Sequence, residues 1–236
     1  MTKPMKIYPT HKKEYGTLPL RVLRDNFVHF ILYRQQTILI DAGETAPILR
    51  FLKENQLQLK KILITHTHSD HVGGCRALQD QLGVQSTSPA LAAGTTTLLE
   101  TPCTAIATPG HVAIHKIYHF PELGILFTGD TLINGACGRL LGGTAEQLFE
   151  SFQKIAALPD HTRILGGHDY LEENMRFAQS IEPHNAAIKA RLSHYRTDPI
   201  EALFVTLAEE KSTNPFLRVG TATEFAQLRC QKDHFF

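Results

Sequence analysis

Short apolar runs dominate the first two thirds of this chain, and helical spacing takes over in the last third. Leu18 to Leu23, Phe27 to Tyr33 and Thr37 to Ile40 are rich in Val, Ile and Phe. Asp25-Asn26 and Gln35-Gln36 punctuate them, which predicts a small antiparallel meander. From Thr45 to Asn55 the apolar positions Ile48, Leu49 and Leu52 follow a helical period, with Thr45 as the expected cap. A buried strand is expected at Lys61 to Thr65, a helix from Val72-Gly73-Gly74 through Leu82, and short strands at Val84 to Thr87 and Thr104 to Thr108. A small-residue stretch, Pro89 to Thr97, carries no clear period. His115 to Phe120 and Gly124 to Phe127 read as paired strands around Pro121-Glu122, Thr144 to Ala157 as a helix, and Arg163 to Leu165 as a last strand.

After about residue 170 the pattern changes. Glu172 to Ile181, Asn185 to Tyr195 and Pro199 to Lys211 predict three consecutive helices broken at Pro183 and Asp198-Pro199, and Thr221 to Gln231 predicts a short final one. The expected organisation is therefore an alternating α/β domain, residues 1–170, followed by a helical domain, residues 171–236.

Composition adds limits. With 24 Lys+Arg against 23 Asp+Glu, the charge balance gives no basis for nucleic acid or an anionic membrane as partner. Met1 to Tyr8 has lysines but no apolar stretch after them, and no run approaches the ~18 apolar residues of a spanning helix, so a cytoplasmic protein is expected. Cys75, Cys103, Cys137 and Cys230 are scattered without a C-x-x-C pair, which fits free thiols better than a disulfide framework or a thiolate metal site.

The candidate chemistry is concentrated at Thr65-His66-Thr67-His68-Ser69-Asp70-His71, directly after the apolar run Lys61-Ile62-Leu63-Ile64. His66 and His68, two apart, point the same way on extended backbone and can serve one ion. Asp70 and His71 lie beyond the turn and can serve a second. Imidazole and carboxylate are donors that Zn and other first-row metals accept. Three further polar residues follow apolar strands: His111 after Pro109-Gly110, Asp130 after Thr128-Gly129, and His168 after Gly166-Gly167. Taken singly these read equally well as turn, cap or surface-loop residues. Together with the cluster they form a set of five His and two Asp. His115 and His119, on alternate positions of a strand, read as structural or exposed rather than as ligands.

The run His66 to His71 followed by Gly73-Gly74 resembles the signature of the metallo-β-lactamase superfamily. Thr128 to Leu132, Cys137-Gly138-Arg139, Gly143 to Gln147 and Gly167 to Tyr170 resemble its glyoxalase II branch, the hydroxyacylglutathione hydrolases. So do Asn174 to Phe177 with Glu182-Pro183, Asn214 to Arg218, and Leu228 to Phe235. This resemblance implies a four-layer αβ/βα sandwich with a small C-terminal helical domain. It implies one ion held by His66, His68 and His111, a second by Asp70, His71 and His168, and Asp130 bridging them, with Asp70 also able to orient the attacking water. The ions would be Zn, with Fe or Mn accepted by the same donors. Solvent activated between the two ions would attack the thioester of an S-(2-hydroxyacyl)glutathione such as S-D-lactoylglutathione, releasing glutathione and D-lactate in methylglyoxal detoxification. Arg139, Tyr170, Arg229 and Lys232 would contact the glutathione moiety, the last two from one face of the final helix. The protein would act as a monomer on this small-molecule partner.

Two departures from the branch are visible. Leu141 stands where an aromatic hydroxyl is usual, and Val112-Ala113-Ile114-His115 replaces small polar residues after His111. The alternatives are an iron-dependent persulfide dioxygenase on the same scaffold, or a broader hydrolase such as a lactonase.

Overall fold

The computed structural model describes residues 7–90 and 92–235. The leaderless reading of the N-terminus rests largely on residues 1–6, outside the described part. The chain divides into two compact units, Met1–Ala105 with Tyr118–Ile125, and Ile106–Ile117 with Leu126–Phe236.

In the first unit the expected meander is present. β1 (Tyr8–Pro9), β2 (Tyr15–Val22), β3 (Asn26–Tyr33) and β4 (Gln36–Ile40) pair antiparallel in sequence order. Helix α1 (Thr45–Glu54) then crosses over, so that β5 (Gln58–Leu63) lies parallel to β4. Its N-cap is Glu44, not Thr45: the Glu44 carboxylate accepts from the Leu23 amide while Thr45 begins the helix. A four-residue turn, α2 (Ser69–Val72), precedes α3 (Cys75–Leu82), and β6 (Gln85–Ser86) completes a six-stranded sheet in sequence order. The alternate apolar positions Val28 and Phe30 of β3 join Leu39, Ile48, Phe51, Leu52, Ile62 and Leu78 in one buried cluster. That burial holds β4 and β5 side by side, and both strands end where the candidate ligands begin.

β7 (Gly94–Leu98) and β8 (Thr101–Ala107) form a hairpin in the small-residue stretch, where three threonines supply β-branched side chains without an apolar alternation to announce them. β9 (Lys116–Phe120) and β10 (Ile125–Gly129) follow, and with β13 (Arg163–Gly166) they complete a five-stranded sheet in the order β13-β10-β9-β8-β7. Between them come a small hairpin, β11 (Leu132–Ile133) and β12 (Ala136–Cys137), and helix α4 (Ala145–Ala156). Thr144 and Gln147 form a reciprocal capping box on α4, which buries Leu148, Phe152 and Ile155.

The C-terminal helices are α5 (Leu171–Ile181), α6 (Ala186–Thr197), α7 (Pro199–Leu203), α8 (Leu207–Thr213) and α9 (Ala222–Asp233). The single helix expected from Pro199 to Lys211 is thus two. The break is a strand-like connection: Thr206 bridges to Arg163, the Ile164 amide donates to Val205 O, and Thr206 then caps α8. Tertiary pairing overrides a helical apolar spacing there. Phe177, Phe216, Phe225 and Leu228 pack with Phe152 and Leu148 into the second unit's buried cluster. No helix among the described residues is long and apolar enough to cross a membrane.

Candidate metal centre

In the first unit the ligand run leaves β5 through Ile64 and Thr65, and the residue that organises it is Asp41. One residue past β4, Asp41 is buried and holds a left-handed backbone, φ 59°. Its Oδ1 accepts from the Thr65 amide at 2.8 Å, and its Oδ2 accepts from the Thr65 hydroxyl at 2.8 Å and from His71 Nδ1 at 2.8 Å. Because Thr65 gives its hydroxyl proton to Asp41, its oxygen accepts from His66 Nδ1, 3.1 Å away. Nε2 is thereby left as the donor nitrogen on both His66 and His71. His66 Nε2 and His68 Nδ1 face each other at 3.0 Å. Two nitrogens bound at about 2.0–2.1 Å to one tetrahedral zinc lie roughly 3.3 Å apart, so this pair fits a shared ion. Asp70 accepts from Asn26 Nδ2 through Oδ2 at 2.8 Å, and that oxygen is 3.6 Å from His71 Nε2. The turn docks against Asp41–Gly43 through Ala42 N to His71 O and Gly74 N to Ala42 O, each 2.7 Å. A Cβ on Gly43 would sit 2.0 Å from Asp70 O, so only glycine allows that approach.

In the second unit three separate strand ends supply the candidates. His111 donates from Nδ1 to Arg139 O at 2.7 Å, leaving Nε2 3.5 Å from Asp130 Oδ2. His168 Nε2 is 3.3 Å from the same oxygen. Two imidazoles converging on one buried carboxylate is the arrangement of ligands that share a metal site. His115, expected to be structural or exposed, is buried. Its Nε2 accepts from the Asp130 amide at 3.2 Å, while Nδ1 meets Thr108 and Thr131 hydroxyls at 3.1 Å each. Gly138 permits the tight pass of its loop, since a Cβ there would lie 2.1 Å from Asp130 O.

Among the described residues each unit thus gathers its own candidate ligands, His66, His68, Asp70 and His71 in the first and His111, Asp130 and His168 in the second. The donor set, imidazole and carboxylate without thiolate, suits divalent first-row ions.

The expected substrate residues are placed differently from one another. Arg139 is exposed, its Nε 4.0 Å from Asp233 Oδ1. Tyr170, 38% exposed, lays its ring flat on His168 at 4.7 Å between centroids and lines a cleft of about 410 Å³ with Asp169, Glu173, Arg176, Tyr195 and Phe235. Arg229 and Lys232 share a buried face of α9. Arg229 donates to Cys137 O at 2.8 Å and to Asp233 at 2.9 Å, and Lys232 donates to Glu173 at 2.5 Å. Leu141 is exposed, and its amide donates to His111 O at 2.7 Å. Asp41, Asn26 and the positioning role of His115 were not foreseen. The only signal for Asp41 was a carboxylate between a strand and Ala42-Gly43.

Residues 23–97 and 93–168 match the family model of the metallo-β-lactamase superfamily, and residues 169–235 match that of the hydroxyacylglutathione hydrolase C-terminus. Curated relatives named hydroxyacylglutathione hydrolase include one from Rhodobacter capsulatus, 36% identical over 89% of this chain and 89% of its own length. Another, from Neisseria meningitidis serogroup C, is 38% identical over 85% of this chain and 84% of its own. Among solved structures, the BLEG-1 B3 metallo-β-lactamase superposes with TM-score 0.65 at 22% identity, over 87% of this chain and all (100%) of that one. ETHE1 from Myxococcus xanthus superposes with TM-score 0.63 at 20% identity, over 96% and 90% respectively. These neighbours share the metallo-β-lactamase α/β fold.

Proposed function

The chain belongs to the hydroxyacylglutathione hydrolase family of the metallo-β-lactamase superfamily, and from that premise we propose that it hydrolyses S-(2-hydroxyacyl)glutathione thioesters at a two-metal centre. What carries the proposal is one chain holding both the full His/Asp donor set and the matched C-terminal segment 169–235.

In this reading His66, His68 and His111 would hold one ion and Asp70, His71 and His168 the other, with Asp130 available to both. Divalent ions bound there, zinc in first place, would supply Lewis acidity and lower the pKa of a bound water. The chain's own residues do the rest. Asp41 and Arg139 O fix the donor faces of His71 and His111. Asp70, steadied by Asn26, would orient the attacking water by accepting a hydrogen bond from its O–H. The leaving thiolate has an ordinary pKa of about 8.5 and departs without a protein acid. The substrate's carboxylates call for local positive charge, which Arg139 offers from the surface and Lys232 by exchanging Glu173 for substrate. Arg229, already tied to Cys137 O and Asp233, aligns that end of α9, and Tyr170 offers its ring and hydroxyl beside His168. Residues 171–236 form the substrate-binding domain in this proposal, and the protein works as a cytoplasmic monomer in methylglyoxal detoxification.

The test is hydrolysis of S-D-lactoylglutathione by protein of measured metal content, beside Asp130→Ala. Thioester cleavage that falls by at least about 10³-fold in the variant is expected if an ion-bridging carboxylate has been removed. Equal activity of the two proteins would sink the bridging role. Absence of cleavage by wild type, with oxygen uptake on glutathione persulfide, would reassign the chain to a persulfide dioxygenase.

A further inference from the structure

Asn134 and Gly135 form the two-residue turn of the β11–β12 hairpin, with Ile133 paired to Ala136 and both turn residues left-handed, φ 40° and 84°. Asn-Gly is the dipeptide such a turn prefers, so backbone geometry alone accounts for the residue types. It does not account for the side chain of Asn134. That amide is buried, and its Oδ1 accepts from the Tyr170 amide at 3.2 Å while Nδ2 donates to Leu203 O at 3.3 Å.

Beneath the turn lies a buried ion pair. Glu210 Oε1 is 2.7 Å from Arg191 NH2, and Glu210 Oε2 accepts from the Gly135 amide at 3.0 Å and from Asn214 Nδ2 at 3.2 Å. Arg191 is spanned in turn by Ala202 O and the Thr213 hydroxyl. The turn is therefore clamped at Gly135 by a charged group that cannot relax into water, and its neighbour Asn134 grips Tyr170. Tyr170 lies two residues past His168 and stacks on its ring at an interplanar angle of 12°.

We propose that Asn134 is a positioning residue for His168: the Glu210-clamped turn sets Tyr170 through the Asn134 amide, and Tyr170 sets the His168 ring. This rests on the two-metal reading above, in which His168 is a ligand. Outer groups that orient metal-binding histidines change metal affinity by about 10–100-fold when removed.

Asn134→Gly isolates the claim, because glycine keeps the left-handed turn without strain and deletes only the amide. Asn134→Asp restores an acceptor for the Tyr170 amide. The readout is Co(II) uptake by metal-free protein, titrated against a competing chelator, with thermal unfolding of the metal-free forms in parallel. Expected is a loss of about tenfold or more in the affinity of one of two ions for the glycine variant, the other ion being held as in wild type, with most of the loss returned by aspartate. Wild-type affinity for both ions in Asn134→Gly, whatever its melting temperature, overturns the proposal and leaves Asn134 a purely structural turn residue. Equal losses in the glycine and aspartate variants overturn it as well, since the acceptor would not be what matters. A wild-type protein that takes up no ion would instead overturn the two-metal reading, and this inference with it.

Discussion

In the first unit four candidate ligands fall between His66 and His71, whereas the three of the second, His111, Asp130 and His168, stand at the ends of different strands. The compact group is held by one buried carboxylate, Asp41, which gathers Thr65 and His71 through three hydrogen bonds and leaves the imidazoles of one turn little freedom. Among the described residues, the dispersed group draws on different partners. His111 depends on Arg139 O, Asp130 on His115, and His168 on stacking with Tyr170. A short ligand run can be organised by one neighbour; ligands far apart in sequence need a separate support each.

Thiol reactivity can show whether the two units are equally closed. Burial pushes Cys103, in the first, up to about 12 and Cys137, in the second, up to about 11. A raised thiol pKa means the neutral form persists at pH 8, with roughly one thiolate in ten thousand and one in a thousand respectively. Both should label orders of magnitude more slowly than exposed Cys230, as followed by peptide mapping after brief alkylation. The buried thiol that reacts first in mild urea identifies the unit that opens first. Comparable rates for Cys103 and Cys230 would contradict the packing described.

The next largest effect is on stability in the second unit. Glu210→Ala leaves Arg191 buried and uncompensated and frees the Gly135 amide, so unfolding in urea should show a loss of about 3–5 kcal/mol. A loss under about 1 kcal/mol would mean that the pair does not clamp the turn.

Asp41→Asn tests the single-holder claim directly. Asparagine tolerates the left-handed backbone but cannot serve three donors as a carboxylate does. Metal affinity should drop about 10–100-fold by chelator competition. His115→Gln withdraws the acceptor of the Asp130 amide, and because Asp130 would serve both ions the same chelator competition should show both held more weakly. Smallest is Thr144→Ala, which removes one half of the α4 capping box and should cost about 1 kcal/mol in thermal or urea unfolding without altering metal affinity.

Periodicity alone gave the meander, the α1 and α4 helices and most of the C-terminal helices, because each buries a regular apolar face. It found β8 at Thr104 to Thr108 but missed its exposed, threonine-rich hairpin partner β7, and it missed the β11–β12 hairpin, although Asn134-Gly135 carried its turn signal. It merged α7 with α8 because the Val205 to Thr206 connection is stabilised by pairing with Arg163 and Ile164, a partner distant in sequence.

By itself, then, the sequence determined the donor chemistry: which side chains can bind metal and that His66 to His71 lie together, since six neighbouring residues cannot be far apart. It also determined the family, through motifs spread along the chain. Only the tertiary structure decided which nitrogen each imidazole offers, that Asp41 and His115 serve the ligands, and that Arg229 and Lys232 are buried on partners rather than solvated. Those outcomes depend on hydrogen bonds between residues tens of positions apart. No local pattern encodes such bonds, because folding brings their partners together only after the sheets and the buried clusters have formed.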